Sequence, residues 1–162
     1  MNGRFRVTRR KSILVLVLVV WLLVALHNTS LAGTERSSGR TVYVPVYSHV
    51  YTGNRALPVN LATTLSIRNT DSANPITITG ADYYGSNGKL LRRMLAKPVA
   101  LGPMASTSIF IQEKDTSGGF GASFLVRWHS ARPVSSPIIE CLMIGAYSGL
   151  GISFVSPGQE IR

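Results

Sequence analysis

From Thr41 onward the chain never sustains a helical period. Every apolar run is short and is cut by Gly, Pro, Asn or Asp. In "TVYVPVYSHVY", Val42, Val44 and Val46 alternate with Tyr43, Pro45 and Tyr47. Pro45 cannot donate to a ladder, so this strand is expected at an edge or with a bulge. "LATTLSIRNT" places Leu61, Thr63, Leu65 and Ile67 on one face, with Ser66 and Arg68 opposite. Ile76 and Ile78 alternate with Thr77 and Thr79. Asn87-Gly88 is a tight-turn pair, which makes Lys89–Leu95 a return strand. A helix over Lys89–Ala96 is the strongest rival, but it is too short and lies between Gly88 and Pro98. "PVAL", Ser106–Gln112, "ASFLVRW", "PIIECLMIGAY" and "GISFVS" complete the series. About seven to nine short strands separated by turns predict an all-β fold, an antiparallel immunoglobulin-like β-sandwich. An open barrel is the alternative. The Cys…Trp…Cys spacing of antibody domains is missing.

The first 32 residues have a different texture. Arg4, Arg6, Arg9, Arg10 and Lys11 precede Ile13–Leu26, fourteen uncharged and almost wholly apolar residues. Fourteen is short for a span, which needs about 20. A basic start, an apolar middle of this length and small residues at Ser30 and Ala32 match a secretory signal helix, with cleavage between Ala32 and Gly33. Retention as an uncleaved signal anchor, basic end in the cytoplasm, is the alternative. The expected organisation is a signal peptide over 1–32, a flexible Gly/Ser-rich linker over 33–40 and a β-sandwich over 41–162. Location is then exported, periplasmic or extracytoplasmic, and inner-membrane anchored if the signal stays.

The sole cysteine is Cys141, so there is none after the apolar run to carry a lipid, and no internal disulfide can form. The formal charge of +10 comes from 17 Lys and Arg against 7 Asp and Glu. Five of the cations precede residue 12; beyond Gly33 the balance is 12 against 7, or +5, and dispersed. Dispersed charge without aromatic interleaving points away from nucleic acid. A membrane contact is expected only through the N-terminal segment.

Chemistry is thinly supplied. His49 and His129 are the histidines beyond the leader, and neither belongs to a metal-ligand spacing, so no metal or cofactor is expected. Cys141 sits among Leu142, Met143 and Ile144, the setting of a buried small hydrophobe rather than of an activated thiol. Asp71 in "RNTDSANP" reads as a turn residue. Asp82 and Glu140 lie inside strands and must face solvent or pair with an arginine such as Arg127. Of Tyr83 and Tyr84, strand alternation points one inward.

"GGFGASFLVRW" (Gly118–Trp128) lacks the spacing of a phosphate loop, and a strand rather than a helix follows it. Its glycines read as a tight corner into a core strand on which Phe124, Val126 and Trp128 share a face. The loop "EKDTSGGFG" joins acidic and flexible residues, which makes Asp115, Gly118, Gly119 and Gly121, with Trp128, the candidate ligand or partner residues. Catalytic residues are not expected.

The segments "VYVPVYSHVY", "LSIRNTD", "DYYGSNGKLL", "PVALGPMAS", "GGFGASFLVRW", "PIIECLMIG" and "GISFVSPG" resemble an uncharacterised bacterial domain family of unknown function, the one numbered 3124. Cys141 departs from that pattern, in which a small residue such as alanine is expected. The resemblance implies an exported, sandwich-like domain and carries no catalytic residues to transfer. The expected function is a non-enzymatic exported β-sandwich that binds a protein or cell-envelope component. The alternatives are small-ligand or carbohydrate binding at the glycine loop and, behind it, a hydrolase.

Overall fold

The computed structural model describes residues 36–161, which fall within the compact unit Thr34–Arg162. The expected signal helix and its cleavage site lie outside the described residues. Among the described residues there are twelve strands, and the sheets pair throughout in antiparallel fashion. They are β1 (Arg36–Val46), β2 (His49–Thr52), β3 (Leu57–Asn60), β4 (Ala62–Arg68), β5 (Ile76–Tyr84) and β6 (Leu90–Arg93). The rest are β7 (Val99–Leu101), β8 (Ser106–Ile111), β9 (Ala122–Ser135), β10 (Ile138–Tyr147), β11 (Leu150–Pro157) and β12 (Gln159–Ile161). A six-stranded sheet runs β12-β1-β9-β5-β6, with β7 also on β5; a four-stranded sheet runs β11-β10-β4-β8; β2 and β3 form a separate hairpin.

One core joins the two larger sheets. Val42, Val44, Val46, Ile76, Ile78, Phe124, Val126 and Trp128 come from the first, and Leu65, Ile67, Ile139, Cys141 and Met143 from the second. The expected faces are realised: Leu61, Thr63, Leu65 and Ile67 are buried while Arg68 is exposed. β5 shifts register between Ile78 and Gly80, a bulge after which Tyr83 becomes the inward tyrosine. Pro45 pairs with Ser123 on β9 and lies beyond the reach of β12, which covers β1 only at Thr41–Tyr43, so on that other side no strand needs a donor from the proline.

The linker expectation needs correction. Arg36–Arg40 is strand, the first part of β1, paired to the far end of β9 through Arg36↔Ser135 and Gly39↔His129, with a register shift between Ser37 and Gly39. Ser37 Oγ accepts from Gly39 N at 3.2 Å and donates to Gly39 O at 3.0 Å. A Cβ on Gly39 would come within 2.8 Å of the Trp128 carbonyl oxygen. Here glycine and serine shape a bulge. The strands also outnumber the expectation, because β2, β3 and β12 are three or four residues long and too short to show alternation.

Asp71 ties β1, β9 and the β4–β5 turn together. Its Oδ1 accepts from Ala73 N (3.0 Å), Asn74 N (2.9 Å) and Asn74 Nδ2 (3.1 Å). Its Oδ2 accepts from Arg36 Nη2 (3.1 Å) and Ser135 N (3.3 Å). The backbone N–H of Ala73, then that of Asn74, hold its carboxyl at about 2, below the usual 3.8. A depressed folded value means that the carboxylate's contribution is complete above 3.8 and is lost as pH falls toward 2. Acid titration followed by circular dichroism should therefore show a loss of stability in that window, and Asp71→Asn should remove that part of the pH dependence.

Candidate functional site

The glycine corner closes the end of the sandwich where β8 returns to β9. Asp115 Oδ1 accepts from Ser117 N (3.2 Å) and Ser117 Oγ (2.6 Å), and Asp115 Oδ2 accepts from Arg92 Nη2. The Ser117 hydroxyl, followed by its backbone N–H and Arg92, holds the Asp115 carboxyl below the usual range against the opposing effect of partial burial. Gly118 O accepts from Ser86 N and Ser86 Oγ, both at 2.9 Å, and Ser86 Oγ accepts from Gly121 N at 2.8 Å. Gly119 O accepts from Ser48 N (3.2 Å) and Ser48 Oγ (3.0 Å). The backbone groups that a ligand cradle would present are thus bonded to Ser86 and Ser48.

Asp115, Gly118, Gly119 and Gly121 are brought together by this clasp, and Trp128 is not. Trp128 is 3% exposed, on the buried face of β9 with Phe124 and Val126, so it is corrected from candidate ligand residue to core residue. The physical reason is the alternation that puts these three residues on one side of the strand.

Beside the corner stands an aromatic group that the sequence reading did not assemble. The Phe120 ring lies 5.1 Å from Tyr47 edge-on and 5.9 Å from Tyr51 in a stacked arrangement, and Tyr47 also meets Phe154 at 5.7 Å. His49 touches Tyr51 edge-on, with Nε2 3.2 Å from the Tyr51 hydroxyl. Tyr51 and Phe120 are exposed. Asn60 pairs with His49 across the β2–β3 hairpin and lines a hollow of ≈ 440 Å³ with Gln112, Glu113 and Lys114.

Nucleophile and base candidates can be placed in turn. Ser48 Oγ lies 3.3 Å from His49 Nδ1, but this hydroxyl is buried and is directed at the Gly119 carbonyl. His129 faces Gly39 on β1, seven residues back from Val46. At 3.3 Å per residue that puts it roughly 20 Å along the strand from the His49 end. Asp82 Oδ2 accepts from Arg127 Nη2 at 2.7 Å, one of the two alternatives open to it, and Glu140 lies 3.7 Å from Arg68. Among the described residues no group of three or more His, Cys, Asp or Glu could hold a metal ion. Burial first, and then Glu140, push the Cys141 thiol up to about 12. Iodoacetamide should label Cys141 at the rate of global unfolding; rapid labelling of the native chain would contradict its place in the core.

The outer faces of the two sheets differ. The six-stranded sheet turns outward Thr41, Arg127 and Asp82 together with Tyr43, and the guanidinium of Arg127 lies across Gly80. The four-stranded sheet instead carries an apolar row. Register places Val155 against Leu142, Leu142 against Thr64, and Thr64 against Phe110. Val155 is 52% exposed, Leu142 36% and Phe110 60%, and Ile144, two residues along β10, is 50% exposed. The row crosses four strands, about 14 Å. The signal for it was present in "PIIECLMIGAY", which is apolar on both strand faces although only one faces the core.

These features define an all-β protein of two main antiparallel sheets, with a self-bonded glycine corner and an uncovered apolar sheet face. The chain belongs to DUF3124, a family of proteins of unknown function, whose family model matches residues 39–161. The solved structure titled "Crystal Structure of Thermotoga maritima 1070" is similar at 13% identity and a TM-score of 0.45, covering 74% of this chain and 92% of that one. No curated protein matches the chain.

Proposed function

We propose that this chain is an exported, non-catalytic binding module whose immunoglobulin-like sandwich holds another protein against the outer face of the four-stranded sheet. The apolar row of Val155, Leu142 and Phe110, with Ile144 beside it, carries this reading. Contiguous exposed apolar surface on a sheet is costly in water and typical of protein contact sites. The Arg68–Glu140 pair adjoins the row, giving the polar rim that such contacts use. The chemistry supports a binding role over hydrolysis, since the Ser48 hydroxyl is committed to a backbone carbonyl.

A photo-crosslinking amino acid at 142, 144 or 155 of the full chain in cells should give the same discrete adduct from each position. The control position Thr79, on the other sheet, should not give it. A diffuse set of abundant neighbours from all positions would overturn the reading.

A second reading is favoured by one observation, the exposed stacked pair Tyr51 and Phe120, with the hollow of Asn60, Gln112 and Glu113 reached from it through the His49–Asn60 pairing. Aromatic faces beside amide and carboxylate groups suit a sugar ring, so this end would bind carbohydrate. Thermal shifts with hexose and N-acetylhexosamine oligosaccharides test it: stabilisation that Phe120→Ala abolishes supports it, and no stabilisation removes it.

A further inference from the structure

Exposed sheet edges invite further strands, and proteins usually guard them with charge, proline, brevity or a bulge. In this chain most edges carry such a guard. β6 presents Arg92 and Arg93, and β7 is three residues long and follows Pro98. β12 is three residues long and contains Glu160, while β11 ends at Pro157 and passes through Gly158 into β12, which pairs with β1. β8 has no such guard. Its six residues read STSIFI, without charge, proline or glycine, and among the described residues it pairs only with β4, in unbroken register. About half of its backbone N–H and C=O groups therefore point away from the sheet.

The edge is also complementary to itself in size. Ser106, Ser108 and Phe110 share the outward face of β8, two small side chains and one large ring that is 60% exposed. Beside the serines lies a hollow of ≈ 630 Å³ lined by Met104, Ser106, Ser108, Arg68 and Ile138. Laying a second β8 antiparallel about Ser108 sets Phe110 of each copy opposite Ser106 of the other. Each ring then enters the other copy's hollow. Both copies bury the same patch, the arrangement a two-fold axis requires.

We propose that the chain forms a two-fold dimer by antiparallel pairing of β8 with the β8 of a second copy, joining two four-stranded sheets into one. The occupant of this edge is thereby a second copy of the chain, and the apolar rows of both copies face the same side for the partner described above. The dimer draws Phe110 and the hollow beside Arg68 out of that binding face, whereas Leu142, Ile144 and Val155 lie off the edge and report on the partner separately.

In this register Ser108 of one copy faces Ser108 of the other, which gives a charge test. Analytical ultracentrifugation of the full chain should show a monomer–dimer equilibrium. Ser108→Lys and Ser108→Glu, at a solvent-exposed position, should each weaken association at least tenfold with unchanged melting temperature, because like charges directly opposite repel. Mixing the two variants should restore association as a heterodimer. A chain that stays monomeric, or a dimer whose strength ignores both substitutions, would overturn the proposal. So would an equal weakening in the mixture. A parent chain that stays monomeric while the crosslinks at 142, 144 and 155 are intact would sink the dimer and leave the binding reading standing.

Discussion

Trp128→Ala should cost about 3–5 kcal/mol of folding free energy, the range for truncating a large aromatic in a core. Against a total of about 5–15 kcal/mol for a domain of this kind, that is a large fraction. The ring is 3% exposed and packs with Val126, Phe124 and Ile78, its cross-strand partner on β5. Among the described residues its buried indole N–H has no hydrogen-bond partner, so that group adds nothing favourable there and Trp128→Phe should cost far less than Trp128→Ala. Urea denaturation measures both. An alanine variant as stable as the parent would return Trp128 to the surface and undo the core assigned to β9.

The second large effect is expected at Gly118. A Cβ there would land on the Tyr83 hydroxyl and within 2.7 Å of the Ala122 Cβ, and both neighbours are fully buried. Nothing flexible can yield, so Gly118→Ala should lose about 3 kcal/mol, the upper end for overpacking. Tyr83→Phe removes the oxygen that is struck. That oxygen is itself buried and has no hydrogen-bond partner among the described residues, so Tyr83→Phe alone should be close to neutral or stabilising. In the double variant it should recover a good part of the Gly118→Ala loss, a coupling read from a double-mutant cycle. Additive effects would mean that the corner is held by something other than this close approach.

Much of the sandwich could be read from alternation. Val42, Val44 and Val46, and Phe124, Val126 and Trp128, are buried as their spacing requires, because a strand gives its side chains only two directions. The Asn87-Gly88 turn is in place, with Gly88 N donating to Gly85 O, and Asp82 found Arg127 because a carboxylate inside a strand needs a cation within reach. What escaped was set by contacts distant in sequence. Arg36–Arg40 has the composition of a linker and becomes strand only because β9 runs on to Ser135 beside it. Tyr51 and Phe120 are 69 residues apart, and their rings meet where Ser48 and Ser86 bond the glycine carbonyls of the corner. The glycines themselves were legible as a corner, whereas the apolar outer face of β10 could not be told from its buried face without the register to β4 and β11.

The most direct test of the binding account separates folding from contact on that outer face. Leu142→Lys combined with Ile144→Lys places two charges on exposed positions of β10, on the face turned away from the core. Thermal midpoint and photo-crosslinking from position 155 should be measured on the same full-length variant in cells and after purification. The account predicts a midpoint within a few degrees of the parent, as for surface substitutions worth about 0.5 kcal/mol or less, together with loss of the discrete adduct. An undiminished adduct in a folded double-lysine variant would contradict it.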